Sequence, residues 1–352
     1  MARIVAAVSG GVDSAVATAR LIDAGHDVTA VHLLLVPGSQ PDSGPVVDAS
    51  DVAKRLGVPF EVWDMRDDFR RHVLDDFVAE YAAGRTPNPC LRCNRAIKFG
   101  GLLQRASDAG FDGVATGHYA RLLRGEGGVV ELHRARDASK DQSYVLSVLG
   151  QDQLRSVFLP LGDSTKDDVR AEADARGLAL AGKSESMDLC FIPDGDRAGW
   201  LHQRLGARPG VIVDESGTVL GRHDGTYRFT IGQRKGLDLR RPSHDGAPRF
   251  VVGIDAAQGR IVVGSHGRLA VVLLHCGRAT WTSGEAPSGP MSASVQVRAH
   301  GDEYAATVVP LSDGSVEIAP INPIMGVAPG QTAALYEGTR VVGSATIEQC
   351  VH

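Results

Sequence analysis

Residues 9–14 read Ser9-Gly10-Gly11-Val12-Asp13-Ser14, between a continuous apolar run (3–8) and a segment where Val12, Val16, Ala19 and Ile22 recur at helical spacing. The apolar run reads as a buried strand, and Gly25 closes the helix that follows. Glycines between strand and helix let the backbone turn tightly and come close to a ligand. The helix start adds unpaired N–H groups and the positive end of a dipole, which together suit phosphate. Ser9 and Ser14 bring two hydroxyl donors. The loop lacks the Gly-Lys-Ser/Thr of a Walker loop. That absence points to a pyrophosphate grip, suited to releasing pyrophosphate and transferring AMP. The competing reading is a glycine-rich turn with no ligand.

The alternation begun there continues. Strands are expected over 27–36, 58–65 and 113–116, and helices over 48–56, 67–83 and 97–109. Strands interleaved with crossover helices define an α/β, doubly wound parallel sheet. Past Tyr119 the pattern changes: 121–123 and 129–133 flank a glycine turn and predict a hairpin. Helices are expected over 152–158, over 166–176 behind Thr165 as N-cap, and over 196–205. Beyond Gly206, short β runs such as 210–213, 249–254, 260–263, 292–298 and 339–347 fill the chain. The expected division is a nucleotide-type α/β domain (1–205), a small central β-rich domain (206–270) and a C-terminal β-barrel (271–352).

A chain of 352 residues is long enough for two or three such units. Nothing approaches 18 consecutive apolar residues, so no membrane span is expected, and the N-terminal apolar run is too short for a signal peptide. Five cysteines without a secretory segment fit a reducing cytoplasm better than a disulfide framework. A net charge of −5 weighs mildly against nucleic-acid binding. A local basic face would suffice, however, and candidates are Arg85, Arg92, Arg95 and Lys98, the stretch 121–140, and Arg234, Lys235, Arg240 and Arg241.

Cys90 and Cys93 form a Cys-x-x-Cys in the proline-rich segment 86–94. Such a pair can be half a zinc site, but no second pair accompanies it, so no metal is assigned. A thiol near a helix start and near Arg92 and Arg95 is expected to have a lowered pKa, which makes Cys93 the candidate nucleophile. Cys190, taken alone, reads as a buried small hydrophobe, as do Cys276 and Cys350.

Taken together, segments 9–14, 86–99 (TPNPCLRCNRAIKF), 115–120 (ATGHYA), 140–146 (KDQSYVL), 188–193 (DLCFIP), 229–236 (FTIGQRKG) and 344–347 resemble the bacterial tRNA-specific 2-thiouridylases nearly end to end. That family lies within the ATP pyrophosphatase superfamily. The first motif is shared by the whole superfamily, whereas the combination in this order is specific. The resemblance implies thiolation at C2 of the wobble uridine (position 34) of tRNA, with ATP and Mg²⁺ used and AMP and pyrophosphate released. It places the nucleophile on Cys93 and the persulfide carrier on Cys190, joined in a transient disulfide. ATP contacts fall on Ala7, Val8, Ser9, Gly10, Gly11, Val12, Asp13, Ser14, Leu33 and Gly117. Contacts with tRNA fall on Lys140, Asp141 and Gln142, with His118 and Gln331 as further positions. A persulfide sulfur-donor protein, a cysteine desulfurase or a sulfur relay protein, is the implied partner.

Two departures stand out. Some family members have Asp where this chain has Cys90, and the stretch 37–47 lacks the insert of relatives. Alternative readings are another adenylating enzyme of the superfamily, acting on a small metabolite or a different tRNA base, and a non-catalytic RNA-binding β-barrel protein. The first would share the ATP loop but need neither two thiols nor a C-terminal barrel, and the intact Asp13, Ser14, Cys93 and Cys190 disfavour the second.

Overall fold

A computed structural model describes residues 1–178, 189–239 and 246–352. Residues 184–188 before Cys190, and Arg240 and Arg241 of one basic cluster, lie outside the described residues. Strands β1 (Arg3–Ala7), β2 (Asp27–Leu34), β3 (Phe60–Asp64) and β4 (Gly113–Ala115) form the first sheet with a later edge strand. The order is β3–β2–β1–β4–edge, every pair parallel. Residues 4–6 of β1 and 28–32 of β2 are buried, as expected of strands covered on both faces.

Helix α1 (Val12–Asp23) lies on one face, where Ala15, Val16, Ala19 and Leu21 share a core with Ile4, Ala6 and Val28. Gly25, at φ 78°, lies just past its end and turns the chain toward β2. The opposite face carries Trp63, Phe69, Phe77, Ile97 and Leu102. Trp63 belongs to β3, and the other four come from helical runs over 66–82 and 89–108, each with a π-helical turn inside, at Arg70–Leu74 and Asn94–Gly101. The second run starts at Pro89, eight residues before the expected helix, because Pro89 opens it and Asn88 caps it. The helix expected over 152–158 stops early: Gln151–Leu154 is helical, and Val157–Phe158 is the edge strand of the first sheet.

The expected hairpin forms as β5 (Arg121–Arg124) and β6 (Val130–His133), but it joins a different sheet. Leu132 of β6 pairs with Val341 in the long strand Arg340–Val351 of the C-terminal region. There, Leu273–Cys276, Val316–Pro320, Glu303–Pro310, Met291–Gln296, Thr332–Glu337 and Arg340–Val351 pair in that order, and the last returns to the first. The result is a closed six-stranded antiparallel barrel around Leu274, Val295, Val308, Ile318 and Leu335. Between the α/β part and the barrel, Gly210–Asp214, Val219–His223, Phe250–Asp255 and Arg260–Gly264 make a four-stranded sheet over Ile212, Val251 and Ile261. A further apolar cluster joins Leu91, Phe99, Leu132 and Tyr144 to Tyr336 and Val341, so hairpin and barrel share one core. Among the described residues no helix is long and apolar enough to cross a membrane.

Candidate active site

The chain runs from β1 outward to β2 and β3, then returns to place β4 on the other side of β1. This is a topological switch point, and the crevice at the carboxyl ends of β1 and β4 is where open α/β sheets bind ligands. The loop 8–11 follows β1 there, and 116–119 follows β4. Val8 anchors the loop: its N–H donates to Val31 O (2.8 Å), and its carbonyl lies 2.9 Å from His32 Nδ1. Gly10 takes φ 74°, a left-handed turn that glycine adopts without strain.

The hydroxyls of Ser9 and Ser14 shape the loop from within. Ser9 N–H donates to Ser14 Oγ (3.2 Å), Gly11 N–H to Ser9 Oγ (3.3 Å), and Ser14 Oγ–H to Gly11 O (2.9 Å). Gly11, the helix N-cap, has no side chain to satisfy the first turn of α1, which leaves those N–H groups for an anion. Gly117 rests against that turn. Leu33, near the end of β2, is half-buried beside the same crevice wall as Ala7.

Two side chains that sequence reasoning did not single out close on Asp13. Tyr119 donates its hydroxyl to Asp13 Oδ1 (2.7 Å), and Lys166 Nζ is 2.7 Å from both Oδ1 and Oδ2. One signal for Lys166 was available: a phosphate loop without its own lysine needs a cation from elsewhere.

Segment 140–142 lies behind Tyr119. Gln142 clamps Tyr119, accepting its N–H at Oε1 (2.9 Å) and donating its own backbone N–H to Tyr119 O (2.8 Å). The Asp141 carboxylate is turned inward, accepting from Arg134 Nη1 (2.8 Å), Ala135 N–H (2.8 Å), Ser143 N–H (3.2 Å) and Ser143 Oγ–H (2.7 Å). Arg134 in turn stacks on Tyr336 and pairs with Glu303, so this member of the basic stretch 121–140 is engaged internally. Lys140 is half-buried. His118 is buried, with Nδ1 2.7 Å from Thr116 Oγ1; burial, and then the charge of Lys98, hold its pKa well below the usual imidazole range.

The thiol site corrects one expectation. Asn88 caps the helix by accepting the Cys90 N–H (3.0 Å), so Cys90 occupies the first turn and Cys93 lies a turn deeper. Cys93 is only 8% exposed, and burial pushes its thiol up to about 11 rather than down. Lys98 opposes that rise, while Cys190 and Cys90 add to it. Arg92, expected to help, is paired with Asp76 (Nε–Oδ2 3.1 Å), and Arg95 is exposed. Cys190 lies in an exposed turn, yet its thiol too is drawn out of water enough to raise its pKa. Its neighbours Phe191 and Ile192 pack in the same apolar cluster as Cys93. The structure thus brings the two motif cysteines to one place, with Lys98 acting on both and on His118. Cys276 is buried in the barrel and pushed up to about 12. Among the described residues no three Cys, His, Asp or Glu side chains converge to hold a metal.

Two clefts separate the cysteine loop from the barrel. The larger, about 430 Å³, lies away from the phosphate loop, and Arg85, Arg92 and Arg278 line it together with Glu80 and Glu348. The smaller is lined by Asn88, Leu91, Arg95, Gly330 and Thr346 among others. Thr86 N–H donates to Pro329 O (2.8 Å), fixing the loop on the barrel edge. Beside it, the buried Oε1 of Gln331 has no hydrogen-bond partner among the described residues.

A glycine loop at the switch point of a parallel sheet, opening a helix whose first turn has no side-chain cap, is the arrangement of a nucleotide-using HUP-class domain. Residues 2–194 match the family described as the tRNA methyl transferase HUP domain, 198–265 its PRC-barrel domain, and 272–347 the aminomethyltransferase beta-barrel domain. The chain is 55% identical to the tRNA-specific 2-thiouridylase MnmA of Nocardioides sp., over 98% of this chain and 97% of that protein. It is 53% identical to the protein of that name from Acidothermus cellulolyticus (98% and 97%) and 52% identical to that of Mycolicibacterium smegmatis (98% and 99%). The chain belongs to the tRNA-specific 2-thiouridylase family.

Proposed function

We propose that this chain is a tRNA-uridine 2-sulfurtransferase, using ATP and a cysteine persulfide to replace the C2 oxygen of the wobble uridine with sulfur. The observation that carries the reading is the nearly full-length identity to named 2-thiouridylases, joined to a glycine loop and two motif cysteines that share one end of the fold. The C2 carbonyl has no good leaving group. Its oxygen attacks the α-phosphate of ATP, a C–O–P bond forms, and pyrophosphate departs from the loop at 9–14. AMP is then displaced from C2 by sulfur.

Sulfur arrives as a persulfide on Cys190. In one route the Cys93 thiolate attacks Cys190 Sγ, releasing hydrosulfide that adds to C2. In the other, the terminal persulfide sulfur adds to C2 and Cys93 then cleaves the S–S bond. Both leave a Cys93–Cys190 disulfide and consume the same two electrons, so an external thiol reductant must reopen it. Mg²⁺ would supply charge neutralisation on the phosphates. Asp13 would be its protein oxygen ligand once Lys166 releases that carboxylate, since magnesium commonly takes one or two carboxylates alongside substrate phosphates.

For the RNA, Lys140 offers a charge, His118 and Gln331 polar groups, and Asp141 and Gln142 the hydrogen bonds that hold segment 140–142 against Tyr119. The target base has to leave its stack to reach the thiols. Units at 1–205, 206–270 and 271–352 fit this division of labour, with helix Arg197–Leu205 assigned to the first because Leu201 packs with Phe77. A persulfide-donor protein and a cytoplasmic site of action complete the proposal.

The test is mass spectrometry of tRNA nucleosides after incubation with ATP, Mg²⁺ and a persulfide donor, alongside pyrophosphate release with and without unmodified tRNA. Accumulation of 2-thiouridine that requires Cys93 and Cys190 supports the reading. Pyrophosphate release without 2-thiouridine would reassign the substrate.

A further inference from the structure

Lys166 belongs to none of the motifs that carry the family resemblance, yet it is the cation that reaches the phosphate loop. Its backbone is fixed from both sides. Thr165 Oγ1 accepts the Asp168 N–H (3.1 Å), Asp168 Oδ2 accepts the Thr165 N–H (2.9 Å), and Lys166's own N–H donates to Asp137 Oδ2 (2.9 Å). The helix it starts, Lys166–Ala175, is tied to α1 by Arg20, which donates to Glu172 Oε2 through Nε (3.0 Å) and Nη2 (2.7 Å). Arg20 also reaches Pro160 O (2.9 Å) and Ser164 Oγ (2.8 Å), and Arg176 reaches Asp23 Oδ2 (2.5 Å). Helix Lys166–Ala175 and the phosphate loop are therefore carried on one rigid piece.

The ammonium lies 2.7 Å from both oxygens of Asp13, with the lysine side chain 15% and the aspartate side chain 31% exposed. Asp13 is the only charged residue of the loop 9–14. Left bare, it would repel a triphosphate arriving at the helix N-terminus, and the loop contains no lysine or arginine to offset it. Lys166 supplies the missing charge. An ammonium is a compact point charge on a flexible stem with three rotatable donors, so it can exchange one anionic partner for another beside it.

We propose that Lys166 is a phosphate-binding residue of the ATP site: it holds Asp13 while the loop is empty and takes an oxygen of the β- or γ-phosphate when ATP binds. The proposal rests on the reading of loop 9–14 as the ATP site. In adenylation the bond between the α-phosphorus and its bridging oxygen breaks, and the electron pair leaves with pyrophosphate. A fixed cation on that group stabilises the charge as it develops, and Lys166 keeps its proton throughout.

The competing role is that of a counterion serving Asp13 alone, and a binding cycle separates the two. Affinities for ATP, AMP and inorganic pyrophosphate are measured by calorimetry on wild type, Lys166→Met, Asp13→Asn and the double variant, with thermal unfolding confirming a folded chain. Lys166→Met should weaken ATP and pyrophosphate by about tenfold or more, as loss of a charge-assisted hydrogen bond implies, and AMP by less than about twofold. The loss should persist in the Asp13→Asn background, where a pure counterion has nothing left to neutralise. Lys166→Arg, which keeps the charge, should restore most of the ATP affinity and stands in if Lys166→Met fails to fold. Equal losses for ATP and AMP, or no loss in the Asp13→Asn background, would overturn the proposal. A wild-type chain that binds ATP tightly while Lys166→Met binds it equally well rejects Lys166 alone. A wild-type chain that binds neither ATP nor pyrophosphate rejects the ATP reading and this role with it.

Discussion

Gly117 and Ser14 meet backbone to backbone: a methyl placed on the Gly117 Cα would stand 2.9 Å from the Ser14 amide nitrogen and 2.9 Å from the Asp13 carbonyl carbon. Neither atom is the end of a flexible side chain, so contact this short can be relieved only by moving the first turn of α1. That turn carries the N–H groups left without a side-chain cap, which the proposed ATP site uses. Gly117→Ala should therefore weaken ATP binding by about tenfold and lower stability by roughly 1–3 kcal/mol, the usual range for overpacking. Calorimetric titration with ATP, run beside thermal unfolding, checks both. Wild-type affinity in a folded Gly117→Ala chain would mean that the loop shifts freely, and that Gly117 has no hold on it.

The buried thiol of Cys93 leads to a prediction about pH. With its pKa pushed up to about 11, roughly one Cys93 in ten thousand is a thiolate at pH 7. Alkylation of Cys93 by iodoacetamide, followed site by site with mass spectrometry, should be slow at pH 7 and rise about tenfold per pH unit through pH 9. The folded-state pKa lies above the ordinary 9.0, so the protonated thiol contributes stability that is fully present below pH 9 and is lost as pH rises toward 11. A plateau in the alkylation rate below pH 8 would show instead that Lys98 outweighs burial. Cys276, pushed up to about 12 inside the barrel, serves as the internal control and should react more slowly still.

Neighbouring residues 140 and 141 should fail in different ways. Asp141 is 8% exposed at its side chain and accepts four hydrogen bonds, one of them from Arg134. Asp141→Ala leaves the Arg134 guanidinium without that partner and should cost about 3 kcal/mol of stability, read as a lower unfolding midpoint. Lys140→Ala should leave the midpoint nearly unchanged while weakening tRNA binding. Its salt dependence should become shallower by roughly one counterion's worth of slope. Labelled-tRNA titrations at several salt concentrations decide the matter: parallel slopes for wild type and Lys140→Ala would place the RNA elsewhere.

Much of this architecture could be read from local pattern. The run into β1, the glycine turn and the spacing of Val12, Val16 and Ala19 each pointed to the same strand–loop–helix, and Thr165 capped its helix as expected. Local pattern failed where the deciding contact was distant. Val157 and Phe158 follow a helical turn, and only pairing with β4 makes them a strand. The hairpin β5–β6 was legible as a hairpin, but its membership in the barrel sheet depends on Val341, some two hundred residues away. Cys93 was misjudged for the same reason. Nearby arginines suggested a lowered pKa, whereas Asp76 occupies Arg92 and a packed helix excludes water from the sulfur. Lys166 escaped notice because its partner Asp13 is distant in sequence.

The pairing of β6 with strand Arg340–Val351 has a consequence for how the chain tolerates being shortened. A chain stopped just ahead of that strand would leave the β6 edge open and strip Val341 from the cluster holding Leu132 and Tyr144, and a stop ahead of Thr332 would remove Tyr336 as well. An open strand edge beside uncovered apolar side chains invites pairing between copies. The nucleotide-binding half made by itself is thus expected to aggregate rather than to persist as a smaller ATPase. Loss of strand Arg340–Val351 alone would unsettle a hairpin that precedes it by some two hundred residues.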